Sequence, residues 1–360
     1  MKSTQQLHNL GQRIWLDNIT RELLTSGTLR GFDEFSVTGL TSNPTIFDNA
    51  INKGAFYDRS IRQKTLAGKS GEALFLELAL EDLTQAADLF RPIHNATGGV
   101  DGWVSLEVSP LLADDTAGTI KAAKQLHAQA NRPNLFIKIP GTSAGIPAIE
   151  EAIFAGVPVN VTLLFSREHY IAAAEAYMRG IERRLASGLD PVVNSVASIF
   201  VSRWDAAIKE KIQPDLSNRL GIAIAMRTYK ACRDLLASPR WQKLANSGAR
   251  QQRLLWASTG SKDPDASDIL YVEALMAPDT INTMPEKTLL AFADHGEVNG
   301  ALPVDGGYAE SVLAEFTEEG ISDETLAADL QREGTEAFAK SWIDLMACIK
   351  SKSDMLTKGN

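Results

Sequence analysis

The chain has 360 residues, with 36 lysines and arginines against 45 aspartates and glutamates, for a formal net charge of −9. That balance offers no clustered basic face to nucleic acid, and two cysteines, Cys232 and Cys348, cannot build a disulfide framework. No apolar run reaches the roughly 18 residues of a membrane helix; the longest candidate, 152–166, is interrupted by Gly156, Pro158 and Asn160. With a polar N-terminus that lacks an apolar signal core, the expectation is a cytoplasmic enzyme or small-molecule binder with no nucleic-acid or membrane partner.

From the N-terminus onward, short β-forming runs alternate with helical ones. The β-type runs fall at 13–17, 34–41, 102–109, 134–140, 158–165, 192–201, 253–259 and 280–284. Several are apolar on both faces, as parallel strands covered by helices are. The last, Thr280-Ile281-Asn282-Thr283-Met284, is short and only mildly β-forming. Between the runs, 71–90 carries Leu74, Leu76, Leu78, Leu80, Leu83 and Leu89 among acidic residues. The stretches 115–131 and 167–187 are alanine-rich with spaced charges, which suits amphipathic outer helices. Additional helices fit within 44–101 and 204–252. Near the end, Ser322 is placed to cap a helix over 322–352, with Asp323 and Glu324 at its positive end. Phe338, Trp342, Leu345 and Ile349 make one apolar stripe, and Gly334 is expected to break this helix in two.

Eight strands alternating with helices predict an α/β fold, a single (β/α)8 TIM-type barrel domain over residues 1–360. A C-terminal helical segment at about 286–360 is expected to pack on it, over the barrel mouth or outside it. No G-x-G-x-x-G follows the first strand, as an open dinucleotide-binding sheet would require.

Polar side chains interrupt the otherwise apolar strands. In Leu135-Phe136-Ile137-Lys138-Ile139-Pro140, alternation puts Ile137 and Ile139 on one face and Lys138 on the other. Isoleucines packed under helices turn the lysine into the barrel, near the strand ends where such barrels hold their active sites. An amine confined there sheds hydration, the condition that makes a nucleophilic amine accessible; for a lone strand lysine, a structural ion pair or an edge residue reaching solvent is the more ordinary reading. Glu107 has the same setting in Val104-Ser105-Leu106-Glu107-Val108, and Asp17 ends Trp15-Leu16-Asp17. Each acid alone reads as an ion-pair partner or, for Asp17, a helix cap. An amine and two carboxylates at one barrel mouth form a Schiff-base constellation, with the acids moving protons.

Asn43 closes the second run, Asn160 and Thr162 share a face of the fifth, and Ser198 and Phe200 share a face of the sixth. Together they would line the mouth with groups for a hydroxyl-rich, sugar-like substrate. Arg203 and the turn Ala257-Ser258-Thr259-Gly260-Ser261-Lys262 combine cations with small residues and exposed backbone N–H groups, which suits a phosphate. The five histidines, His8, His94, His127, His169 and His295, show no metal-ligand spacing.

The blocks Trp15-Leu16-Asp17, Leu40-Thr41-Ser42-Asn43-Pro44-Thr45, Val104-Ser105-Leu106-Glu107-Val108, Phe136-Ile137-Lys138-Ile139-Pro140, Asn160-Val161-Thr162-Leu163-Leu164-Phe165-Ser166 and Ser198-Ile199-Phe200-Val201-Ser202-Arg203 resemble the transaldolase family, in that family's order. The length and Trp256-Ala257-Ser258-Thr259-Gly260-Ser261-Lys262 look like its longer bacterial form. The resemblance implies a class I aldolase barrel with a Schiff-base lysine on the fourth strand and no metal or organic cofactor. It implies transfer of a dihydroxyacetone unit from sedoheptulose 7-phosphate to glyceraldehyde 3-phosphate, giving erythrose 4-phosphate and fructose 6-phosphate in the non-oxidative pentose phosphate pathway.

Carried over by position, the resemblance implies that Lys138 forms the imine while Glu107 shuttles protons through a water held partly by Thr162. Asp17 would take the C4-hydroxyl proton. Asn43, Asn160 and Ser198 would hold the dihydroxyacetone hydroxyls, Thr41 and Phe200 would complete the wall, and Arg203 and Ser258 would hold the phosphate. Shorter family members carry an arginine two positions beyond the serine that matches Ser258; here that position is Gly260, and Lys262 is the candidate replacement. Sugar phosphates are the partners implied, and self-association into a homo-oligomer is compatible with the sequence. The nearest alternatives are a lysine-dependent aldolase that uses free dihydroxyacetone and a catalytically silent sugar-phosphate binder.

Overall fold

A computed structural model describes residues 1–357. Eight parallel strands close into a barrel in chain order: β1 (Arg13–Leu16), β2 (Val37–Leu40), β3 (Val104–Glu107), β4 (Leu135–Pro140), β5 (Val159–Leu164), β6 (Ser195–Phe200), β7 (Arg253–Ala257) and β8 (Ile281–Met284). Each lies within a run expected from the sequence. The mildly β-forming last run becomes a strand because it is paired on both sides. Arg13↔Ile281 to Leu16↔Met284 joins it to β1, and Leu255↔Ile281 and Trp256↔Asn282 join it to β7. Barrel closure supplies the order that local propensity does not.

The outer helices follow their patterns. Asp115 accepts the Gly118 N–H to cap Thr116–Ala130, and Asn131 ends that helix in the left-handed region at φ 46°. Ser166 caps Arg167–Ala186 in the same way through the His169 N–H. The helix expected over 71–90 runs further, Gly71–Ala96, with Pro92 inside it. Pro44–Lys53 and Asp58–Leu66 precede it, and Leu220–Ala237 and Pro239–Asn246 occupy the later long stretch.

Aromatic side chains fill the barrel below its mouth. Trp103 stacks on Phe136 with ring centroids 4.1 Å apart, Trp15 lies 6.1 Å from Phe136, and the Trp15 indole donates to Asp101 at 3.1 Å. Gly39 leaves room for this layer. A Cβ there would stand 2.5 Å from the Trp103 carbonyl oxygen and 2.8 Å from Trp15 Nε1.

After β8 come the helices Glu286–His295, Ala309–Glu318 and Asp323–Thr357. The expected segment extends to residue 360, and 358–360 lie outside the described residues. Ser322 does cap the last helix, accepting the Thr325 N–H at 3.2 Å. The expected break at Gly334 is absent: Asp323–Thr357 is one continuous helix with Gly334 buried inside it. A Cβ at 334 would stand 3.0 Å from Leu163 Cδ2 and 3.2 Å from Arg203 Nη1. The glycine thus allows close approach to the barrel rather than a turn. Gln331 Nε2 donates to the carbonyls of Gly141 at 3.1 Å and Leu163 at 2.9 Å, tying the helix to the ends of β4 and β5. It therefore crosses the barrel mouth. No helix among the described residues is long and apolar enough to span a membrane.

Gly39→Ala is expected to cost about 1–3 kcal/mol through overpacking against a backbone carbonyl that cannot rotate away. Urea unfolding would read this as a lower midpoint at constant m value. An unchanged midpoint would show that the aromatic layer shifts to accept the methyl.

Candidate active site

Glu107 and Lys138 end up side by side because β3 and β4 pair in register, Glu107↔Lys138, and both residues occupy the inward phase of their strands. Both are buried, and Lys138 Nζ stands 3.3 Å from Glu107 Oε2. The ammonium also donates to the Ser42 carbonyl at 3.3 Å. The approach to Glu107 is a charge contact rather than a well-formed hydrogen bond, and both Glu107 oxygens lack a hydrogen-bond donor in the protein. Burial pushes the Glu107 carboxyl above its ordinary value, the Lys138 charge pulls it back down, and nearby Asp17 adds to the rise.

Asp17 follows β1 and borders a cavity of about 280 Å³ that also exposes Lys138. A cavity of that size suits a compact polar metabolite. Asp17 is not the cap of the next helix; Thr20 fills that role through the Leu23 N–H. Instead Asp17 Oδ1 accepts from the Thr41 hydroxyl at 2.8 Å, and Thr41 Oγ1 lies 2.7 Å from Thr283 Oγ1. Burial raises the Asp17 pKa, against the opposing pulls of Lys138, the Thr41 hydroxyl and Lys262.

Thr41, Asn43, Thr162, Ser198 and Phe200 all border the same cavity. Asn43 serves twice, since its Oδ1 caps Pro44–Lys53 by accepting the Ile46 N–H at 3.0 Å. Thr162 Oγ1 is buried with no hydrogen-bond partner in the protein. Asn160 differs from the others. Its amide donates to Ser105 Oγ at 3.1 Å and accepts from Ser198 Oγ at 2.7 Å, so it links β3, β5 and β6 behind Ser198 without bordering the cavity.

Two further cations, Arg203 and Lys262, follow β6 and β7. Arg203 borders the cavity with its guanidinium carbon 5.0 Å from the Phe200 ring and 5.8 Å from the Phe338 ring. Burial lowers its pKa from the arginine value. Ser258 holds a left-handed backbone, φ 57°, with its hydroxyl 2.9 Å from Ser202 Oγ. Gly260 and Lys262 continue this rim, with Lys262 exposed to solvent. No group of three or more histidine, cysteine or acidic side chains that could hold a metal gathers among the described residues.

Thr283 and Phe338 also border the cavity, and sequence reasoning did not single them out. Period-two alternation through the last run would have put Thr283 on one face with Ile281. Phe338 gave no such signal, since an aromatic at helical spacing reads as core.

The chain matches the family described as transaldolase/fructose-6-phosphate aldolase over residues 14–349. It is 43% identical to a transaldolase of Renibacterium salmoninarum, covering 99% of both chains. It is 44% identical to a transaldolase of Arthrobacter sp., covering 96% of each. Transaldolase 1 of Streptomyces avermitilis is 42% identical over 97% of this chain and 95% of its own.

Arg203 borders the cavity with ring faces as its partners and no carboxylate at ion-pair distance among the described residues, so its charge is available to an anion. Arg203→Met is therefore expected to weaken inorganic phosphate binding by about tenfold or more. Lys262→Met, which removes an exposed point charge, should cost only about threefold. Calorimetric titration with phosphate measures both; equal losses would place the anion on Lys262 as much as on Arg203.

Proposed function

The chain belongs to the transaldolase/fructose-6-phosphate aldolase family, and from that premise we propose that it is a Schiff-base transaldolase of the non-oxidative pentose phosphate pathway. It moves a dihydroxyacetone unit from sedoheptulose 7-phosphate to glyceraldehyde 3-phosphate, giving erythrose 4-phosphate and fructose 6-phosphate. The observation that carries this reading is the buried Lys138–Glu107 contact at 3.3 Å beside a cavity bordered by Asp17 and Arg203.

The positions support the following chemistry. Lys138, as the free amine, attacks the ketose C2 carbonyl to give a carbinolamine, which loses water to form a protonated imine. Glu107 moves the protons of both steps through a water shared with Thr162. Two unpaired Glu107 oxygens and an unpaired buried Thr162 hydroxyl support this role, because buried polar groups call for partners. Asp17, oriented by Thr41, takes the C4-hydroxyl proton. The C3–C4 electron pair moves into the imine to give an enamine, and the aldose phosphate leaves. The enamine then adds to the acceptor aldehyde, and hydrolysis returns Lys138. Asn43 and Ser198 hold the dihydroxyacetone hydroxyls, with Asn160 orienting Ser198, while Arg203 and Ser258 hold the phosphate and Lys262 adds charge at the rim.

Borohydride reduction with fructose 6-phosphate should leave a ketose-derived adduct on the Lys138 peptide, read by mass spectrometry. Lys138→Ala and Lys138→Arg should form none, because a guanidinium stays protonated. Turnover surviving in either variant would sink the mechanism. Fructose 6-phosphate consumption that requires erythrose 4-phosphate marks transfer, whereas release of free dihydroxyacetone marks simple aldol cleavage.

The pH profile tests Asp17. Its raised pKa means that the base form is lost, as pH falls, sooner than for an exposed aspartate. The acid limb of kcat should therefore lie above the ordinary carboxylate range. Asp17→Asn should lower kcat by about 10²–10⁴ and abolish that limb. An acid limb that persists unchanged in the variant would assign it to another group.

A further inference from the structure

Phe338 reaches both ends of the cavity. Its ring centre lies 5.6 Å from Lys138 Nζ and 5.8 Å from the Arg203 guanidinium carbon. Arg203 is unusual among the arginines near the core: within the described residues its partners are the two rings of Phe200 and Phe338, with no hydrogen bond and no carboxylate at ion-pair distance. Arg21, by contrast, is fixed by Asp82 at 2.8 Å and Glu81 at 2.9 Å.

The difference has a chemical consequence. A carboxylate that holds a guanidinium also occupies its N–H donors and cancels its charge. Ring faces restrict the same flat cation through its π-surface and leave the in-plane donors free for an incoming phosphate. Phe200 lies three residues before Arg203, so half of this clamp is local. The other half comes from the far end of the chain. Gly334, one turn before Phe338, lets the helix come within 3.2 Å of Arg203 Nη1, measured from where a Cβ would stand. Gln331 holds the helix there through the Gly141 and Leu163 carbonyls.

We infer that Phe338 is a positioning residue for Arg203, through which the C-terminal helix gives the site its preference for phosphorylated over phosphate-free ketoses. This rests on the reading of the cavity as a sugar-phosphate transaldolase site. A ring that served only as packing would, when removed, loosen the mouth for every donor alike. A ring that positions Arg203 adds a loss confined to ligands carrying a phosphate.

Phe338→Leu removes the ring face and keeps an apolar side chain. It should raise KM for fructose 6-phosphate by about 3- to 20-fold, the range of a partly buried cation–π contact. The 5.6 Å contact with Lys138 is common to every donor, so its loss should change borohydride trapping of fructose and of fructose 6-phosphate by the same factor and leave the ratio of their KM values to report on Arg203. Phe338→Tyr keeps the ring and should restore the phosphorylated donor. Calorimetry with inorganic phosphate, which needs no imine, should show the same loss in Phe338→Leu and no additional loss when it is combined with Arg203→Met. Equal rises in KM for fructose and fructose 6-phosphate, or unchanged phosphate affinity, would overturn the inference. If the unaltered protein traps no ketose on Lys138, the transaldolase reading falls and the stated donor preference with it; the phosphate titration still decides separately whether Phe338 holds Arg203.

Discussion

A lysine and a glutamate facing each other across adjacent strands, both out of solvent, constrain much of this molecule. Such a pair is no stabilising device, because taking two charges out of water costs about as much as their attraction returns. The surrounding barrel has to tolerate it. Below the pair lies the aromatic layer of Trp15, Trp103 and Phe136. Beside it, Ser105, Asn160 and Ser198 form a hydrogen-bonded chain across three strands. The two Glu107 oxygens are left outside that network; Glu107 does not itself border the cavity and lies 3.3 Å behind Lys138, which does.

Barrel closure turns this local pair into a site. Parallel strands send the ends of β1 to β8 to one face, so Asp17, Thr41, Lys138, Thr162, Ser198 and Thr283 meet there although they are far apart in sequence. The lining then divides by chemistry. Asp17 and the amine of Lys138 come from β1 and β4, Arg203 and Lys262 follow β6 and β7, and the hydroxyls of Thr41, Thr162, Ser198 and Thr283 are spread around the mouth. A substrate that carries a carbonyl among hydroxyls at one end and a phosphate at the other matches that polarity.

The C-terminal helix completes the wall that the strands leave open. It does so by approach rather than by sealing: Gly334 fits against Leu163 and Arg203, Gln331 bonds to two strand-end carbonyls, and Phe338 enters the cavity between the amine and the guanidinium. Thr45, which borders the cavity from the start of Pro44–Lys53, also bonds to Ser341 of this helix at 2.8 Å. The amine and the guanidinium of the cavity are thus bridged by an element outside the eight-strand repeat.

Much of this was legible in the residues themselves, because alternation in a strand is a local property. The period of two in 135–140 and 104–108 was enough to separate Lys138 and Glu107 from their apolar neighbours, and a cap such as Ser322 acts on an N–H group only three residues away. Eight runs between helices likewise pointed to a parallel α/β fold, since parallel strands need crossovers and covered faces, and the pairing of β8 with β1 closes it into a barrel. What local pattern could not decide was distance across the fold. Gly334 looks like a helix breaker when only helix propensity is considered, and becomes a contact surface once Leu163 and Arg203 are beside it. Asn160 shares its inward face with Thr162, yet the serines on neighbouring strands occupy both ends of its amide. Phe338 belongs by spacing to a core stripe, and only the path of the helix over the mouth sets its ring against Lys138 and Arg203. Sequence determined which face each side chain takes along its own element; tertiary structure decided which faces meet, because that depends on the angle and depth at which distant elements pack.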